Sequence, residues 1–118
     1  MDEQGDRVRG DKSPQTYTAG QWPHDAVPEA NAPLPVHYSL TLARTLDDLC
    51  TRRGYSHRAL SLAAGLSPNA VGRIVRGELY PDLATLARLE VTAQTPVYPR
   101  ELYRTLQPPE ADRSMPEP

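Results

Sequence analysis

A chain of 118 residues has room for one domain, and a hydrophobic fraction of 38% with 13 prolines and no phenylalanine supplies material for one small core. The net charge of −2 hides an asymmetry, because residues 1–36 carry −3 and residues 107–118 carry −2, whereas residues 37–106 hold nine arginines against six acids. The single cysteine, Cys50, excludes an internal disulfide and a cysteine-based zinc site, and no apolar run approaches the roughly 20 residues a membrane helix needs.

The +3 of the middle segment suits a polyanionic partner. The first ten residues are acidic and polar, unlike a signal peptide, and with the lone thiol they point to the cytoplasm. Nine of the prolines fall in the two ends, so residues 1–36 and 107–118 are expected to be disordered tails flanking a domain at 37–106. Within the first tail Tyr17 and Trp22 stand out, since a lone indole buries much apolar area once it finds a groove on the domain or on a partner protein.

Leu42, Leu46, Leu49 and Cys50 have the i, i+4, i+7, i+8 spacing of an amphipathic helix, closed by Arg52, Arg53 and Gly54. Cys50 falls on its apolar face as a small buried thiol. Ser56 offers an N-cap oxygen for a second helix over about 56–64, with Leu60 and Ala64 on one face. Gly65 stops it, and Leu66 follows as an apolar plug under the turn. A third helix is expected over 67–76, with Ser67 as N-cap, Pro68 at the first helical position and Gly77 as its stop. Asp82 caps a fourth helix to about Ala93, whose buried stripe is Leu83, Leu86 and Leu89, before Pro96 forbids continuation. A last short helix fits 99–106. The expected fold is all-α, a compact bundle of four to five helices.

Leu60, Ser61, Ala64, Gly65, Leu66, Val71 and Ile74 have the spacing of two helices packed steeply around a short turn. With Arg53-Gly54-Tyr55-Ser56, Ala64-Gly65-Leu66-Ser67, Val71-Gly72-Arg73-Ile74-Val75-Arg76-Gly77 and the run from Pro81 to Leu89, the chain resembles the lambda-type and 434-type phage repressors, the Xre family. The resemblance covers residues 38–95 without a gap. It implies a lambda repressor-like helix-turn-helix whose third helix lies in the major groove. The chain departs from the family pattern at Ser61, usually alanine, at His57, usually Gln, at Glu78-Leu79-Tyr80, often a basic loop, and at Glu90, often small and apolar.

If Val71, Ile74 and Val75 face the core, the opposite face of the third helix carries Pro68, Asn69, Ala70, Gly72, Arg73 and Arg76. Asn grips adenine, Arg grips guanine and Ala meets a thymine methyl, so Asn69, Arg73 and Ala70 form a reading set. The resemblance extends base contact to Pro68, where readout would be by shape. Ser56, His57, Ser67 and Arg76 are the candidates for phosphate contact, with Glu78 weakening that clamp. Leu79, Tyr80, Leu102, Tyr103 and Leu106 are candidates for a dimer or partner surface.

His24 and His37 lack metal-ligand spacing, there is no Gly-rich phosphate loop, and nothing assembles a catalytic triad, so neither metal, cofactor nor enzymatic activity is expected. The expected function is a sequence-specific transcriptional regulator that binds double-stranded DNA as a homodimer. The alternative is a protein-interaction adaptor or antitoxin-like regulator on the same fold, favoured by the acidic Pro-rich ends.

Overall fold

The computed structural model describes residues 12–108. A 3-10 turn, Pro14–Tyr17, leads into two short antiparallel strands, β1 (Thr18–Ala19) and β2 (Val27–Pro28), in the register Thr18 to Pro28 and Ala19 to Val27. Four helices follow: α1 (Leu34–Arg53), α2 (His57–Ala63), α3 (Ala70–Val75) and α4 (Leu83–Ala93). A second 3-10 turn, Leu102–Thr105, stands where a last helix over 99–106 was expected. The described chain is thus mostly helical, and among the described residues no helix is long and apolar enough to cross a membrane.

The core is the one the apolar spacing predicts. Leu42, Leu46, Leu49 and Cys50 of α1 meet Leu60 and Ala64, then Val71, Ile74 and Val75 of α3, and finally Leu89, Ala93 and Val97. Burial, with the charge of Asp47, pushes the Cys50 thiol up from its ordinary value, as befits a packing residue. The α4 stripe differs at one place: Leu83 is 80% exposed. It lies six residues from the fully buried Leu89, about one and two-thirds turns, so the two side chains leave the helix in different directions.

The larger correction concerns the N-terminal segment. Residues 12–36 are not a disordered tail; residues 1–11 and 109–118 lie outside the described part. α1 begins at Leu34 and is buried along a second line, Val36, Leu40 and Ala43, at i, i+4 and i+7. This second apolar line lies upstream of the first and outside the main core; α1 also packs on the 3-10 turn at Pro14–Tyr17, and in the segment before α1 Pro14, Pro23 and Ala26 are buried. Arg44 fastens the two parts, its Nε donating to the Pro23 carbonyl and its Nη2 to the Ala26 carbonyl, both at 2.9 Å. Proline fits this segment because its fixed φ suits turns, and its missing N–H leaves nothing to satisfy.

Glu90, the residue out of family pattern, has a structural task. Its Oε2 accepts from the backbone N–H groups of Val97 (2.9 Å) and Tyr98 (3.0 Å), closing the loop after α4. Those two bonds, helped by Arg100, hold its carboxyl below the usual value of 4.5 against the opposing effect of burial. A depressed carboxyl contributes stability above its unfolded pKa, and that contribution disappears as pH falls through the folded value. Glu90→Ala is therefore expected to destabilise by about 1–2 kcal/mol at neutral pH. Urea midpoints should converge with those of the wild type on acidification; a pH-independent gap would contradict this role.

Candidate nucleic-acid interface

α2 and α3 are joined by a turn that both helices' side chains specify. Ser56 caps α2 as expected, its Oγ accepting from Ala59 N–H at 2.9 Å. At the other end Gly65 takes φ +75°, its N–H reaches the Leu62 carbonyl, and Leu66 N–H reaches back to Ser61. This pair of reversed bonds, the Schellman arrangement, turns Leu66 in against the core.

α3 is shorter than the expected 67–76. Pro68 and Asn69 form a turn, Ala70 N–H bonds to the Ser67 carbonyl, and no side chain at Asn69 caps the helix. The Ser67 hydroxyl is not the cap either. That task falls to Ser61 on α2, fully buried, whose Oγ accepts from Val71 N–H at 2.9 Å and donates to the His57 carbonyl at 2.8 Å. One hydroxyl thus satisfies a leading donor of α3 and locks it to α2. Ser61→Ala is expected to cost about 1–2 kcal/mol, because the Val71 N–H stays buried without an acceptor. Amide hydrogen exchange at Val71 should accelerate well beyond the change in global stability, and unchanged protection there would refute the link.

The inner side of α3, with Val71, Ile74 and Val75, is buried. Asn69, Arg73 and Arg76, at i, i+4 and i+7, share the outer side; Asn69 is exposed, and the two arginine side chains are 52% and 56% exposed. Pro68 and Ala70 are half-buried beside them, and Ser67 is exposed. Gly72, expected on the outer face, is instead buried: the Arg76 guanidinium folds across it, with Nη1 3.0 Å from where a Cβ would stand.

No protein-family model and no curated protein sequence matches this chain.

Gly77, at φ +71°, ends α3 with the same reversed bonds, Gly77 N–H to Ile74 and Glu78 N–H to Arg73. The turn brings Glu78 back under the helix it follows. Its carboxylate accepts from Arg76 Nε at 2.8 Å and, more loosely, from Arg73 Nε at 3.4 Å. The Arg76 hydrogen bond foremost, then the charge of Arg76 and the contact with Arg73, hold the Glu78 carboxyl below its ordinary value, although desolvation opposes them. Arg73 and Arg76 thus meet solvent as partly neutralised cations.

The remaining predicted residues are dispersed. His57 turns its ring inward to Asp47, Nε2 to Oδ1 at 3.0 Å, rather than outward to an anion. His24 of the hairpin takes the other oxygen of Asp47 at 2.8 Å, so one α1 carboxylate ties the hairpin and the start of α2 together. Burial acts to raise the Asp47 carboxyl, yet the hydrogen bonds from His57 and His24 hold it below the ordinary value. Among the described residues no group of three or more His, Cys, Asp or Glu is placed to hold a metal ion. Arg53 donates through Nη1 to the Ala93 carbonyl at 2.7 Å and pins α1 to α4.

Leu79 is half-buried and packs against the core. Tyr80 lines an apolar groove of about 350 Å³ with Leu34, Tyr38, Pro81 and Tyr98. Tyr103 and Leu106 line a neighbouring groove that shares Leu34 and Tyr38 with it, and Leu102 is half-buried. The tyrosines are thus gathered around the start of α1, a neighbour the spacing of residues 79–106 does not reveal.

Proposed function

We propose that this chain is a sequence-specific, DNA-binding transcriptional regulator of the lambda repressor-like helix-turn-helix class, acting in the cytoplasm as a homodimer. One observation carries the reading: α3 is locked by its inner side and by Ser61 onto α1 and α2, while Asn69, Arg73 and Arg76 line its outer side. A rigidly held helix with one polar face is what major-groove readout requires. Asn69 and Arg73 are the base readers, with Ala70 and Pro68 as apolar neighbours. Arg76 and the hydroxyls of Ser56 and Ser67 are the phosphate donors; Ser56 Oγ already accepts from Ala59, yet its own O–H remains to give. The His57 ring is withdrawn from this set, being bound to Asp47.

Selection of the full chain against a random duplex library at low salt tests the proposal. The expected product is a motif containing a guanine for Arg73, repeated in two half-sites if the protein binds as a dimer. Failure to enrich any motif overturns DNA reading.

A protein-interaction adaptor or antitoxin-like regulator is the second reading, and the apolar groove of Leu34, Tyr38, Tyr80 and Tyr98 favours it. It is separated from the first by the same selection, which it expects to fail.

A further inference from the structure

The reading face of α3 is small, and Glu78 already competes for both of its arginines. A protein relying on these groups alone would grip duplex DNA weakly, so neighbouring donors matter. The hairpin supplies them. A polar cleft of about 230 Å³ lies at the C-terminal end of α3, with Arg76 and Glu78 on one wall and Gln15, Gly20, Gln21 and Trp22 on the other.

That second wall is fixed rather than loose. Gln15 N–H donates to the Gly77 carbonyl at 3.0 Å, so the 3-10 turn that leads into the hairpin is bonded to the residue that ends α3. The Trp22 indole lies against Gly77, its ring atoms 2.6–2.9 Å from where a Cβ would stand, and its Nε1 donates to Thr18 Oγ1 at 2.6 Å. The Arg44 bonds to Pro23 and Ala26 hold the far side. Gln15 and Gln21 are both exposed, and no hydrogen bond of their side-chain amides is found among the described residues. Each carries an NH₂ group with two donors.

We infer that the N-terminal hairpin is the outer wall of the DNA interface, with the side-chain amides of Gln15 and Gln21 donating to the backbone phosphate that Arg76 approaches. The inference rests on the DNA-binding reading above. Its chemistry is specific: a phosphate oxygen entering this cleft must share Arg76 with Glu78, and two neutral amides add hydrogen bonds there without adding charge. Neutral donors release no counterions, so they alter affinity without altering its salt dependence, unlike an arginine. Phosphate contacts also carry no base information, so selected and scrambled duplexes feel them alike.

The test uses the full chain with fluorescein-labelled duplexes, one carrying the selected sequence and one scrambled, and reads affinity by anisotropy over a salt series. Gln15→Ala/Gln21→Ala is expected to bind both duplexes roughly tenfold more weakly, with the slope of log K against log salt unchanged. Because both side chains are exposed, helical circular dichroism and Trp22 emission should match the wild type, which separates lost contact from lost fold. Wild-type emission from Trp22, the only tryptophan, is expected to change on adding duplex. A double variant that binds as tightly as the wild type overturns the hairpin inference and leaves the DNA reading standing. A loss confined to the selected duplex, or a slope that falls with the affinity, also overturns it. A wild-type chain that binds neither duplex overturns both.

Discussion

Gly77→Ala is expected to lose about 2–5 kcal/mol of stability and to release Trp22 into water. Two separate costs meet at this residue. The left-handed φ of +71° disfavours any side chain bearing a Cβ, by about 1–2 kcal/mol. The added methyl would also stand 2.6 Å from Trp22 Cδ2, so the indole and the hairpin behind it must move away. Overpacking of this kind costs about 1–3 kcal/mol when the neighbour is held, and Trp22 is held by Thr18 and by the backbone bond at Gln15. Urea denaturation should show the lower midpoint, and emission of the sole tryptophan should shift to the red. A double-mutant cycle separates the costs: in a Trp22→Ala background the steric part is gone, and Gly77→Ala should lose only the backbone part. Additive losses in that cycle would show that the indole does not rest on Gly77.

The same contact shows where sequence reading runs out. Leu42, Leu46, Leu49, Leu60, Val71, Ile74 and Leu89 declare themselves because a core helix repeats its apolar residues with its own period. Ser56 and Asp82 are legible as caps for a similar reason: each bonds to an N–H three residues ahead. Ser67 looks equally good by that local rule, yet Ala70 N–H, three residues ahead, bonds to the Ser67 carbonyl, and the next donor, Val71 N–H, goes to Ser61, ten residues back on another helix. Non-local satisfaction of this kind leaves no spacing to detect. The hairpin is hidden differently. Its buried residues are Pro14, Pro23 and Ala26, a composition shared with unstructured tails, while α1, on which the 3-10 turn packs, carries a second buried line outside the main core, Val36, Leu40 and Ala43, which begins among prolines. That line at i, i+4 and i+7 was the available signal. It says that α1 has two sides to cover, and only one is covered by the helices that follow.

The arginine pair should separate cleanly in binding experiments, and Glu78 decides how. Arg73→Ala is expected to cost about 1–3 kcal/mol on the selected sequence and far less on a scrambled one, because the loss is a bidentate base contact. Arg76→Ala should weaken both duplexes alike and lower the salt slope by about one, the mark of a lost phosphate contact. Equal losses from both variants, with specificity intact, would contradict these roles. Glu78→Gln moves in the opposite direction. It leaves the turn at Gly77 intact but removes the anion that holds Arg76 at 2.8 Å and Arg73 at 3.4 Å. Both guanidiniums then meet DNA without a competing carboxylate. Affinity for every duplex should rise, roughly tenfold at low salt, with a steeper salt dependence and a smaller ratio between selected and scrambled sequences. Anisotropy from about 50 to 200 mM salt resolves all three variants on one set of axes. If Glu78→Gln bound no more tightly than the wild type, the ion pairs would have to survive in the complex, and the arginines would have to meet DNA with Glu78 still attached. The expected result instead makes Glu78 a restraint on indiscriminate binding: only a sequence that rewards Asn69 and Arg73 with base contacts offsets the loss of the carboxylate.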